Sequence, residues 1–157
     1  MDATIDIGLA RADEASAIAV HSRDLVEHGL DWRWKPGRLR RAIAARDTNV
    51  AVARHDGRLA GFGVMQYFDE EAHLCLLAVL PAWQRRGIGA ALVGWLETAA
   101  LEAGIGVIRL EARRRNAVAR AFYRRLGYDE VTLSTGYYAP DEDAVRLAKD
   151  LWLAPPG

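Results

Sequence analysis

The stretch Gln84-Arg85-Arg86-Gly87-Ile88-Gly89-Ala90 has the residue types best suited to chemistry. Glycine at 87 and 89 lets the main chain approach a bulky anion with no Cβ in between. Backbone amides at a helix start point outward and carry partial positive charge, so they form a ready phosphate site. Arg85 and Arg86 can add charge-assisted bonds. The bland alternative is a glycine-rich turn with solvated arginines, and the strand before and helix after weigh against it. A Walker loop needs Gly-Lys-Ser/Thr after its glycines, and a dinucleotide fingerprint needs a third glycine near Gly89 and a later acidic strand end. The sequence fits neither.

Other residues have weaker chemical credentials. His73 is of a residue type that suits proton removal near neutrality, but its place also suits a plain strand-edge histidine. Asp31, Trp32 and Trp34 could line a pocket for a cationic amine by charge and stacking, or could plug the core. Arg113-Arg114-Arg115, beside Asn116, reads as a solvated turn or as a phosphate contact. Cys75 is the only cysteine, so no internal disulfide can form. Covalent transfer through it would need a base and an orienting group, so it reads as packing. His21, His28 and His55 have no ligand spacing, and no metal is expected.

Hydrophobic periodicity supplies the elements that must position these residues. Thr4 to Leu9 alternates and reads as a strand. Asp13 can cap a helix carrying Ala17, Ile18, Val20, Leu25 and Val26, and Pro36 suits the start of a second with Leu39 and Ile43 inside. Val50 to Arg54 and Leu59 to Tyr67 read as a hairpin turned at Asp56-Gly57. Ala72 to Leu80 is nearly all apolar, as expected of a strand covered on both faces. From Gly87 onward apolar residues recur on one helix face until Gly104. Val107 to Ala112 is a strand, Asn116 caps a helix ending at Gly127, and strands near Tyr128 to Leu133 and Ala144 to Leu151 follow. The expected fold is α/β: a mixed, mostly antiparallel sheet of about seven strands flanked by about four helices.

A chain of 157 residues, half of them hydrophobic, suits one domain spanning 1–157. Lys+Arg and Asp+Glu both number 21, so the net charge is zero, which argues against a nucleic-acid partner. Met1 to Ala10 has no secretory pattern, and the longest apolar run, Leu74 to Leu80, is far too short to span a bilayer. A reducing cytoplasm and no membrane partner are the expectation.

The run from Leu77 through Pro81, Gln84, Arg85, Arg86, Gly87, Ile88 and Gly89 to Leu92 resembles the acetyl-CoA motif of the GNAT superfamily of N-acetyltransferases. Leu110-Glu111-Ala112-Arg113, Asn116, Ala121-Phe122-Tyr123 and Leu126-Gly127-Tyr128 resemble its second block in order and spacing. The resemblance covers roughly residues 50 to 150. It implies acetyl-CoA as co-substrate and a primary amine as acceptor. Leu77, Ala78 and Val79 would bond the pantetheine arm, and Arg85, Arg86, Gly87, Ile88, Gly89 and Ala90 would hold the pyrophosphate. Asn116 and Tyr123 would lie further along the cofactor.

Glu111 and Tyr123 have the spacing of the base and acid in bacterial enzymes that acetylate the N-terminal alanine of a ribosomal protein. Tyr137-Tyr138 followed by Glu142-Asp143 resembles the same branch, where paired tyrosines grip the peptide. The resemblance thus implies Glu111 as base, Tyr123 as acid, and Tyr137, Tyr138 and Trp32 around the acceptor, with His73 as the competing base. Three functions stay open: acetylation of protein N-termini, acetylation of a small amine such as an amino sugar, polyamine or amino acid, and a silent acyl-CoA-binding module. The chain is expected to act as a monomer or homodimer.

Overall fold

Asp56 and Gly57 turn the chain with φ of 49° and 76°, joining β2 (Thr48–His55) to β3 (Arg58–Tyr67) as an antiparallel hairpin. Both residue types tolerate that left-handed conformation. The computed structural model describes residues 4–153. Residues 1–3 and 154–157, included in the expected single domain, lie outside the described residues. Around the hairpin the remaining elements are β1 (Asp6–Leu9), α1 (Ala15–Leu25), α2 (Pro36–Ala44), β4 (Glu71–Val79), α3 (Ile88–Glu102), β5 (Val107–Arg113), α4 (Ala117–Arg125), β6 (Asp129–Ala139) and β7 (Glu142–Asp150). The seven strands form one sheet in the order β1-β2-β3-β4-β5-β7-β6.

The chain divides into two compact units. Among the described residues, one takes in those up to Gln66 together with Leu74–Ala99; the other comprises Tyr67–His73 and those from Ala100 onward. In the first, Ile18, Leu39, Val52, Phe62 and Val64 are fully buried, and Trp32, Trp34 and Cys75 pack against that cluster. Removing a side chain of this kind typically costs about 2–5 kcal/mol. Gly61 and Gly63 let β4 and α3 come close to β3. A Cβ at 61 would lie 2.9 Å from the Ala78 carbonyl oxygen and 3.2 Å from Leu92 Cδ1.

In the second unit Ile108, Leu110 and Ala112 turn to the buried face of β5, while Arg109, Glu111 and Arg113 alternate onto the other. Glu71 bonds Arg109 and His73 bonds Glu111, so the side-chain partners advance in the same direction along β4 and β5. That is a parallel pair, whereas β5–β7 and β6–β7 are antiparallel, which makes the sheet mixed. β4 and β5 are joined through a helix, as a parallel crossover requires.

Three local expectations are corrected. Asp13 does not cap α1: its carboxylate takes Arg11 Nε, and Glu14 instead accepts the Arg11 backbone N–H at 2.8 Å. A short 3-10 turn over Ala12–Glu14 places Glu14, not Asp13, over that amide. The sixth strand runs to Ala139 rather than stopping at Leu133, so Tyr137 and Tyr138 belong to it. β4 also departs from a strand covered on both faces, since Ala72, Leu74 and Leu76 are buried but the alternate residues only half-buried.

Candidate active site

After β4 the chain makes a 3-10 turn over Pro81–Trp83 and enters α3 through Gln84 to Gly87. Gln84 Nε2 donates to the Val79 carbonyl at 3.1 Å, pinning the strand end. Arg85 and Gly87 have φ of 65° and 79°. Left-handed residues alternating with their neighbours curl successive amides toward one side, which is the geometry of an anion nest. A Cβ on Gly87 would meet nothing within 4 Å, so the space before the loop is open. Arg85 and Arg86 are exposed, with the Arg86 guanidinium 5.0 Å from the Trp83 ring. This cradle at the head of a long helix fits a diphosphate, and Leu77, Ala78 and Val79 run half-buried into it.

The second unit holds the titratable cluster. Glu111 stands on β5 with its side chain 9% exposed. The register sets Arg146 of β7 directly opposite it, and β4 brings His73 to its other flank. His73 Nε2 donates to Glu111 Oε1 at 2.6 Å. Tyr137 Oη donates to the same oxygen at 3.1 Å, and Arg146 Nη1 lies 3.8 Å from Oε2. Burial pushes the Glu111 carboxyl up, but the His73 bond and charge, the Tyr137 bond and the Arg146 charge outweigh it. The net result is a carboxylate held below its usual range.

A break in the β6–β7 ladder brings the tyrosines to this site. Pairing is irregular between Ser134 and Ala139. Gly136 takes a φ of 67° there, and its N–H is caught by Asp143 Oδ1 at 2.8 Å. Such a bulge re-aims the side chains after it. Tyr138 packs edge-to-face on Tyr137 at 4.9 Å, and the Arg113 guanidinium lies 5.8 Å from its ring. Burial holds its phenol above the usual range, helped by Tyr137 and Glu111.

The remaining expected residues fall as follows. Tyr123 is 9% exposed, edge-to-face with Phe122 at 5.1 Å and Tyr128 at 5.8 Å, and burial raises its phenol well above the ordinary value. Asn116 caps α4, its Oδ1 accepting the Ala119 N–H at 3.0 Å. Trp32 donates its indole N–H to the Ala19 carbonyl at 3.2 Å. The loop that carries it is tied by buried Glu27, which accepts the Arg33 and Trp34 amides at 2.7 and 3.1 Å. Arg114 pairs with Asp143. Sequence reasoning raised His73 and Glu111 as rivals, and they are hydrogen-bonded partners. It passed over Arg146 and Glu27, which belong to no motif. Only the β5–β7 register or the loop path could have singled them out.

No group of three or more metal-binding side chains occurs among the described residues, and none of their helices is long and apolar enough to cross a membrane.

Residues 14–128 match the model of the Acetyltransferase (GNAT) family. The chain is similar to the [ribosomal protein bS18]-alanine N-acetyltransferase of Escherichia coli strain K12, at 38% identity over 96 residues, 59% of this chain. That match spans 65% of the relative's length. The enzyme of the same name from Haemophilus influenzae is 32% identical over 119 residues, covering 73% of this chain and 80% of the relative. Among solved structures, the ribosomal-protein-S18-alanine N-acetyltransferase from Escherichia coli superposes with a TM-score of 0.80 at 26% identity, covering 98% of both chains.

Proposed function

The chain belongs to the acetyltransferase (GNAT) family, and from that premise we propose that it moves an acetyl group from acetyl-coenzyme A to the N-terminal α-amine of a protein, working as one domain over 1–157 in the cytoplasm. The observation that carries the reading is the largely buried Glu111 carboxylate with His73 Nε2 at 2.6 Å. Similarity to N-acetyltransferases that act on a ribosomal-protein alanine supports a peptide acceptor over a small amine, as does the tyrosine pair beside Glu111.

Bound acetyl-coenzyme A supplies the activated acyl group as a thioester. The amides of residues 85–90 with Arg85 and Arg86 hold its diphosphate, and Leu77 to Val79 offer main-chain edges to its arm. An α-amine has a pKa of about 7.7–8.0, so near neutral pH a large share must lose a proton before it can attack. The His73–Glu111 pair accepts that proton; because Nε2 already donates into the short bond, it enters at His73 Nδ1 or Glu111 Oε2. Tyr137 and Tyr138 orient the acceptor. Tyr123 keeps its proton at any working pH and serves the departing thiolate as a hydrogen-bond donor. Full proton transfer from a phenol so raised to a thiolate of parent pKa about 8.5 would run uphill.

A peptide array supplied with radiolabelled acetyl-CoA tests the reading. Labelled peptide N-termini are expected, and label on free small amines but on no peptide would overturn it. Glu111→Gln and His73→Gln should each lower kcat/KM about 100-fold, with the double variant no worse than either alone, because a pair acting as a unit is lost once. Additive losses would show that the two residues act separately.

A further inference from the structure

Arg146 belongs to no motif, yet three contacts close a triangle around it. Its guanidinium lies 3.8 Å from Glu111 Oε2 and 5.3 Å from the Tyr137 ring centroid, while the Tyr137 hydroxyl donates to Glu111 Oε1 at 3.1 Å. Each of the three residues touches the other two. An ion pair of that length with Arg146 46% exposed would be worth little by itself. Here the same planar fork also meets an aromatic ring, a job that suits arginine better than lysine. The ladder fixes where its backbone sits, because Glu111 and Arg146 are direct cross-strand partners.

We infer that Arg146 is a positioning residue: by gripping both the Tyr137 ring and the Glu111 carboxylate, it holds the tyrosine over the site and keeps the carboxylate turned toward His73. The inference rests on the reading of His73–Glu111 as proton acceptor. It adds a residue that acts through the pair without touching the substrate. The ionisable groups facing Glu111 are His73 from β4, Tyr137 and Tyr138 from β6, and Arg146 from β7, with Arg113 of β5 against Tyr138. The raised Tyr138 phenol stays neutral, so Arg146 is the permanent cation touching the carboxylate. Removing a cation makes any neighbouring site bind protons more tightly, so the pair's titration must move to higher pH.

Two variants separate charge from shape: Arg146→Met keeps the aliphatic stem, and Arg146→Lys keeps the charge without the fork. Carboxyl-labelled protein without acetyl-CoA is titrated by NMR, and kcat/KM for an acceptor peptide with a free N-terminus is followed against pH. Arg146→Met should raise the pair's midpoint by about half a pH unit, roughly three-fold in proton affinity, and move the acid limb of kcat/KM the same way. kcat/KM should fall about ten-fold, and Arg146→Lys should recover the midpoint but not the rate. A folded Arg146→Met protein with wild-type titration and pH profile would overturn the inference. If that variant does not fold, Arg146→Lys carries the test, and a wild-type rate from it overturns the inference as well. If wild type labels no peptide while the NMR midpoint still moves, the proposed activity falls and the positioning role stands.

Discussion

Glu14 and Glu111 are both held as carboxylates, by opposite balances. For Glu14 the Arg54 side-chain bond outweighs burial; Arg54 Nε donates at 2.9 Å, and the carboxyl drops below its ordinary value of 4.5. For Glu111 burial is the largest influence, and four smaller ones together reverse it. A depressed carboxyl contributes stability that is present above its unfolded pKa and lost as pH falls through the folded one. Glu14→Gln should therefore cost about 1–3 kcal/mol at pH 7, because Arg54 keeps a poorer partner in a mostly buried site. That difference should shrink toward zero at acid pH below the usual carboxylate range, as wild-type Glu14 itself takes up a proton. Urea denaturation at the two pH values checks this, and an undiminished gap at low pH would mean the carboxylate charge contributes nothing. At this scale the sequence was informative about residue types and poor about partners. His73 and Glu111 stand 38 positions apart, and no local spacing links them.

Close approach between elements depends on glycines. A Cβ at Gly61 would meet the Ala78 carbonyl at 2.9 Å, and a backbone atom cannot swing aside as a side-chain tip can. Gly61→Ala should destabilise the protein by about 1–3 kcal/mol, while Gly8→Ala, with nothing within 4 Å, should be close to neutral. Equal urea midpoints for the two variants would count against the tight β3–β4 approach. Gly87 poses a different problem, with open space in front and a φ of 79°. Gly87→Ala would clash with nothing yet strain the turn by about 1–2 kcal/mol, enough to weaken acetyl-CoA binding about ten-fold by calorimetry. Unchanged affinity would remove the loop from the diphosphate site. Helix and strand types were legible because the 3.6- and 2-residue patterns are local. The bulge at Gly136 was not, because it arises from how β6 pairs with β7.

For the whole molecule, 21 cations balance 21 anions, and the isoelectric point is near 6.9. Without net repulsion near neutral pH, self-attraction should be strongest around pH 7 and weaken toward pH 5.5 or 8.5. Static light scattering at low salt should give its most negative second virial coefficient near pH 7, and a flat profile would contradict this. The family was also legible at this scale. Two blocks, around residues 77–92 and 110–128, are each nearly continuous in the sequence, and they recur in a family match spanning 14–128.

Sequence alone determined the types and order of the elements and the glycine-bearing turn after β4, since each depends on neighbours a few positions apart. The tertiary structure decided that His73 and Glu111 are partners rather than rivals, that Arg146 stands across from them, and that Trp32 is bonded down onto the core. Strand order and register place those side chains, and both are set by packing between segments dozens of residues apart, which no local pattern encodes.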